Sequence, residues 1–208
     1  MAKLYFKFGA MGSSKSASAL MCRFNYIQKG MRVLVIKPDV DVRDVDENGN
    51  IIIKSRIGLT CPCKVFSNSD NLISKFKNEL ASTDVVIVDE CQFLTEKQVD
   101  ELKIISFSIP VLCYGLKTNF KTELFEGSKR LLEIADSISE IKSVCKCGKK
   151  AIINARFVNG KISTGGKETV IGGDDGQTYY EGMCYRCYLN KIKEQKWKNA
   201  KSAQESAK

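Results

Sequence analysis

A chain of 208 residues, 43% hydrophobic and 27% charged, has the composition of a globular protein with one domain and an appendage, or two small domains. Its net charge of +9 suits nucleic acid or polyphosphate substrates equally. No apolar run approaches the roughly 18 residues of a membrane span, and MAKLYFKFGAM is too short in apolar residues for a signal peptide, so a soluble, intracellular protein is expected. Nine cysteines and no histidine exclude every histidine-based mechanism; the odd count argues for reduced thiols over a disulfide framework.

In chain order, KLYFKF is a short β-rich run ending at Gly9. There Gly9, Lys15 and Ser16 hold the spacing of a phosphate-binding loop, except that Ser14 stands where the second glycine belongs. Between a strand and a helix, such a loop aims backbone N–H groups at phosphate oxygens, with a lysine and a Mg²⁺-binding hydroxyl behind them. A Cβ at Ser14 hinders the backbone conformation that glycine allows, so FGAMGSSKS reads as a phosphate cradle or as a Gly-Ser turn before a helix. The predicted helix KSASALMCRFNYIQKG carries Leu20, Met21, Phe24 and Ile27 at helical spacing and stops at Gly30. MRVLVIKP is a second strand, apolar almost throughout.

Residues 39–60 interrupt this rhythm with a polar excursion, a hairpin signal at Asn48-Gly49 and a short strand IIIK. SDNLISKFKNELAST is a helix. DVVIVDECQF is a third buried strand ending in Asp89 and Glu90, where a nucleotide site in a parallel sheet needs an acid for Mg²⁺. EKQVDELKIIS is a helix, IPVLCYGL a fourth strand, FEGSKRLLEIAD a helix and SISEIKSV a fifth strand. Continuous apolar strands alternating with helices predict an α/β fold, a mostly parallel sheet covered on both faces, over residues 1–143.

From Cys145 to Cys187 the composition changes to four cysteines, eight glycines and no long helical pattern. Cys145, Cys147, Cys184 and Cys187 form two close pairs, which reads as one closed, structural Cys₄ zinc site in a second module, residues 144–190. Cys61-Pro-Cys63 has no matching pair and reads as structural or incidental thiols; Cys91 reads as a buried strand-end thiol. Residues 191–208, with six lysines against two glutamates, read as a basic tail, helical but fraying or disordered.

These motifs resemble, in order, those of the type II (cytosolic-type) thymidine kinases, bacterial and phage branch. The resemblance spans residues 3–190 and rests on GAMGSSKS, DVR at 41–43, SRIG at 55–58, DECQFL at 89–94, YGLKTNF at 114–120, CKCGKKA at 145–151, and VIGG through CYRC at 170–187. It implies a P-loop (RecA-like) domain, a zinc-braced lasso, and ATP-dependent phosphorylation of the 5′-hydroxyl of deoxythymidine to dTMP. Gly9, Ala10, Met11, Gly12, Ser13, Ser14 and Lys15 would cradle ATP, with Asp41 and Arg43 near the phosphates and Arg43 neutralising the transferring group. Ser16 and Asp89 would hold Mg²⁺, and Glu90 would be the general base. Met11, Phe93, Leu116 and Phe120 would enclose thymine; core packing is the competing role for the last three. Asn154 stands where many members carry threonine near the base. The lasso, 166–180, would bring Glu168, Val170, Ile171, Gly172 and Tyr180 to the nucleoside. The resemblance further implies a cytoplasmic homotetramer inhibited by dTTP, with no stable nucleic-acid partner and no membrane. Two other readings stay open: a P-loop ATPase whose zinc ribbon binds nucleic acid, and a nucleotide binder silenced by Ser14.

Overall fold

Strands rich in Val, Ile and Leu bury both faces only where helices cover them. The computed structural model describes residues 2–41, 44–166 and 177–206, of which 198–206 by backbone alone. Two compact units divide the chain. The first comprises Met1–Gly9, Ser14–Lys117 and Leu124–Ile141; the second comprises Ala10–Ser13, Thr118–Glu123 and Lys142–Lys208.

In the first unit the strands are β1 (Leu4–Phe8), β2 (Val33–Pro38), β3 (Ile52–Lys54), β4 (Thr60–Pro62), β5 (Lys64–Phe66), β6 (Val85–Val88), β7 (Val111–Gly115) and β8 (Ser137–Glu140). Helices α1 (Lys15–Ile27), α2 (Leu72–Lys75), α3 (Lys77–Leu80), α4 (Glu96–Ile105) and α5 (Glu126–Ile134) connect them. Six strands form one sheet in the order β5-β2-β6-β7-β1-β8, and every pairing is parallel. The two-residue period of the pleat divides the core. Val86 and Val88 join Val99, Leu102 and Leu131 of α4 and α5, while Val85 and Ile87 join Ala19 and Leu20 of α1 on the other face.

Parallel pairing puts every strand's carboxyl end on one edge, so Gly9, Asp39, Asp89 and Leu116 leave the sheet on the same side. One strand, β7, separates β1 from β6. Its register sets Phe8 opposite Gly115 and Val88 opposite Cys113, which levels the glycine loop with the acidic turn.

Several elements differ from the sequence reading. The helix expected over SDNLISKFKNELAST is two short ones, broken at Phe76, whose ring is buried in the core. Within α1, Ala17, Ala19 and Leu20 form the buried face, whereas Met21 and Phe24 are each 59% exposed and Ile27 is also exposed. The Asn48-Gly49 turn closes a bridge between Val45 and Ile51, and β3 and β4 form a second antiparallel hairpin.

The second unit holds β9 (Ser143–Val144), β10 (Lys150–Ala151), β11 (Ile153–Val158), β12 (Lys161–Ser163), β13 (Thr178–Met183) and α6 (Tyr185–Ser206). Strand β11 is central in an antiparallel sheet ordered β12-β11-β13. Ile153, Ala155 and Phe157 point to one face, where they pack with Met183, Tyr188 and Ile192; Asn154 and Arg156 point to the other. Helix α6 carries residues 191–206, and its Gln195 pairs twice with the Ile162 backbone, accepting from N–H at 2.7 Å and donating to C=O at 3.0 Å. Among the described residues no helix is long and apolar enough to cross a membrane.

Candidate active site

The loop after β1 turns immediately. Gly9 N–H donates to the Gly115 carbonyl of β7 at 3.2 Å, and Ser13 N–H donates to the Ala10 carbonyl at 3.1 Å. Gly12 has φ +77, and Ser14, the N-cap of α1, is left-handed at φ 61, ψ 33. Its carbonyl accepts the first helical bond, from Ser18 N–H at 2.9 Å. Serine therefore holds the backbone shape that glycine would adopt without steric cost, at a strain of about 1 kcal/mol. Ser14→Gly is expected to raise stability by about 0.5–1 kcal/mol in chemical denaturation, with phosphoryl transfer present in both proteins. Transfer by the variant alone would show Ser14 to be disabling.

Lys15 and Ser16 begin α1. The Lys15 ammonium donates to the Gly9 carbonyl at 3.2 Å, closing the loop on itself. Burial lowers the Lys15 pKa, while the charges of Glu90 and Asp89 act to raise it. Ser16 hydrogen-bonds the Asp89 carboxylate. Helix α1 and the end of β6 thus meet at a hydroxyl, a carboxylate and an ammonium, as the strand order requires.

Asp89 is buried, and its carboxyl is pushed up to about 7, first by burial and then by the charge of Glu90. A buried carboxylate that needs a cation, beside a hydroxyl, is a hard oxygen donor set suited to Mg²⁺. Because the folded-state value lies above the ordinary 3.8, the folded protein holds a proton that the unfolded chain releases. The stability this provides is complete below about pH 4 and is lost as pH rises through about 7. In magnesium-free buffer, wild type is expected to lose thermal stability from pH 5 to 8, and Asp89→Asn to lose less. Comparing the two isolates the contribution of Asp89.

Glu90 opens the turn after β6 with a left-handed backbone at φ 52, ψ 37, and the 3₁₀ turn Cys91–Phe93 follows. Gln92 Nε2 donates to Glu90 Oε2 at 2.5 Å. Phe93 and Leu116 are half-buried, and Phe93 packs edge-on against Phe125. Asp41, buried in the turn after β2, lies 3.6 Å from the ammonium of Lys37. Lys37 is only 2% exposed and donates to the Ile52 carbonyl at 3.1 Å. The sequence reading passed over this lysine; its signal was one charged residue inside the apolar run VLVIKP.

The polar face of β11 gathers the second unit's candidates. Asn154, 3% exposed, accepts from Met11 N–H at 2.7 Å and donates to the Thr118 carbonyl at 2.7 Å. Both ends of its amide therefore hold backbone. Gly182 lies opposite Asn154, and a Cβ there would stand 2.7 Å from the Met11 carbonyl, so only glycine lets Met11 lie against β13. Phe120 is buried, with the Arg156 guanidinium 3.6 Å above its ring centre. Arg156 also donates to Ser163 Oγ at 2.8 Å and to the Gly165 carbonyl. Tyr180 is half-buried opposite Arg156. Arg43, Glu168, Val170, Ile171 and Gly172 lie outside the described residues.

The sulfur atoms of Cys145, Cys147, Cys184 and Cys187 lie within 4.8 Å of one another, and those of Cys147 and Cys184 are 3.6 Å apart. A tetrahedral zinc with Zn–S bonds of about 2.3 Å requires S···S edges of about 3.8 Å, so the cluster fits this metal. Backbone N–H groups of Cys147 and Cys184 lower the Cys145 thiol to about 7, and that of Cys187 lowers Cys184. Hydrogen bonds with Cys147 and Cys184 push Cys187 up to about 12, the mark of crowded thiols sharing protons.

The family model described as Thymidine kinase matches residues 2–188. The chain is 42% identical over 197 residues to a protein named thymidine kinase from Zymomonas mobilis subsp. mobilis, covering 92% of this chain and 98% of that one. A second, from Shewanella oneidensis, is 42% identical over 192 residues, 88% of this chain and 95% of that one. Among solved structures, the Pif1 helicase from Candida albicans aligns with a TM-score of 0.39 at 14% identity, over 68% of this chain and 36% of that one, too partial a likeness to carry weight. By the extent of the family match and the identity to full-length relatives, the chain belongs to the thymidine kinase family.

Proposed function

We propose that the chain transfers the γ-phosphoryl group of ATP to the 5′-hydroxyl of deoxythymidine, giving dTMP and ADP. The observation that carries this reading is the hydrogen bond from Ser16 at the head of α1 to Asp89 at the end of β6, with Lys15 in the field of Asp89 and Glu90. Backbone N–H groups of residues 9–14 and the Lys15 ammonium bind the phosphates. Ser16 and Asp89 would hold Mg²⁺, which when bound would supply positive charge against that of the phosphates. Glu90 takes the 5′-hydroxyl proton; the oxygen bonds to the γ-phosphorus as the bond to the ADP oxygen breaks. Asp41 and Arg43 serve the phosphate end.

Met11, Phe93, Leu116 and Phe120 serve the thymine. Asn154 sets where Met11 stands, and Tyr180 with Glu168, Val170, Ile171 and Gly172 covers the nucleoside. The four cysteines hold a structural zinc. A homotetramer, supported by the exposed apolar stripe Met21, Phe24 and Ile27 on α1, inhibition by dTTP and a cytoplasmic setting complete the proposal. No nucleic-acid or membrane partner is part of it.

An ADP-release assay across deoxynucleosides tests this reading. Thymidine is expected to be best, deoxyuridine about 10- to 200-fold poorer for want of one methyl, and purine nucleosides inert. ADP release that ignores nucleosides and responds to DNA would favour the ATPase reading.

A further inference from the structure

We infer that Gln92 is a positioning residue for phosphoryl transfer: its amide, held by the end of β7, fixes the carboxylate of Glu90. The inference rests on the reading of Glu90 as general base. Gln92 is 2% exposed in the turn after β6 and makes two hydrogen bonds of fixed sense. Leu116 N–H donates to its Oε1 at 2.9 Å. A backbone N–H can only donate, so this bond decides which end of the amide is oxygen. The NH₂ end is thereby committed to Glu90, donating to Oε2 at 2.5 Å.

The support extends behind Leu116. Its carbonyl accepts from Ser128 Oγ of α5 at 2.5 Å, and Ser128 is fully buried. A Cβ at Gly115 would stand 2.6 Å from Gln92 Oε1 and 2.6 Å from Cys91 Sγ, so the end of β7 leaves room for this amide and little else. Ser128, Leu116, Gln92 and Glu90 thus form one line of hydrogen bonds, from a buried serine on α5 to a half-buried carboxylate. Such a line confines Glu90, whose left-handed backbone already points its side chain in an uncommon direction. A base held in one orientation keeps its reach to a substrate hydroxyl, and misplacement by about 1 Å can cost on the order of 10²-fold.

Steady-state kinetics of Gln92→Glu, Gln92→Met and Glu90→Gln decide the matter, with Mg·ADP calorimetry confirming that each variant is folded. Gln92→Glu keeps an acceptor for Leu116 but sets a carboxylate oxygen against Glu90; Gln92→Met keeps the length and removes both hydrogen bonds. Both are expected to lower kcat about 10- to 100-fold, with the KM for ATP and for thymidine within about threefold of wild type. If Gln92 only tied the turn to β7, Gln92→Glu would match wild type and Gln92→Met alone would suffer, overturning the inference. A wild-type kcat in Gln92→Met overturns it as well, even if Gln92→Glu does not fold. An active Glu90→Gln would instead overturn the reading of Glu90; an inactive one beside a fully active Gln92→Glu removes only the role given to Gln92.

Discussion

Replacing Glu90 with Gln is expected to lower kcat by about 10²- to 10⁴-fold, while Mg·ADP binding, read by calorimetry, stays close to that of the parent. The substitution keeps shape and length, and Gln tolerates the same turn. It leaves Ser16, Asp89 and the Lys15–Gly9 contact in place and removes the capacity to take a proton, together with the negative charge that Lys15 and Asp89 feel. With no histidine in the chain, no imidazole can take over. Because the lost interaction is realised only in the transition state, kcat and kcat/KM should fall together. A variant with nearly normal kcat would mean that proton removal is not assisted at this position.

Loss of the zinc proposed for the four thiolates is expected to be damaging as well, and for a different reason. Among the described residues the second unit buries a cluster of ten, and two of them, Cys145 and Cys184, are proposed zinc ligands. A module this small needs a staple, and structural zinc in comparable small modules is worth on the order of 10–16 kcal/mol. Elemental analysis should find one zinc per chain in wild type and none in Cys184→Ser. The zinc-free protein should lose at least about tenfold in kcat/KM for thymidine, because the sheet that carries Asn154 and Gly182, and through them Met11, loses its anchor. Full activity and a sharp thermal transition without zinc would contradict this.

The parts of the fold most open to reading were those where local chemistry and tertiary role agree. VLVIKP and DVVIVDE are strands by composition and burial alike, and in a parallel sheet their ends must share an edge with the glycine loop. Both cysteine pairs announce their cluster by spacing. Reading failed where a partner decides the outcome. SISEIKSV looks like one strand, yet Ser137–Glu140 pairs parallel to β1 while Ser143–Val144 pairs antiparallel to β10, and nothing in the apolar pattern marks the change.

The helix breaks at Phe76, whose ring belongs to the core. Met21, Phe24 and Ile27 hold helical spacing but face outward, since periodicity shows that a stripe exists and not what covers it. Residues 191–197 look like a solvated basic tail until Gln195 is seen gripping Ile162. Lys15, Ser16, Asp89 and Glu90 stand out in the sequence because they are local to two motifs, and the structure brings these side chains near one another. Gln92, Lys37 and Arg156 reach Leu116, Ile52 and Phe120, which lie 24, 15 and 36 residues away along the chain, and carry no spacing signal.

The most direct measurement is ³¹P NMR of a reaction containing the protein, Mg²⁺, ATP and thymidine. Signals of ADP and of a phosphomonoester coupled to the 5′-methylene protons should grow in equal amounts, with no orthophosphate, and neither should grow when thymidine is left out. Orthophosphate accumulating with ADP, whether or not thymidine is present, would mean that water rather than a nucleoside is the acceptor.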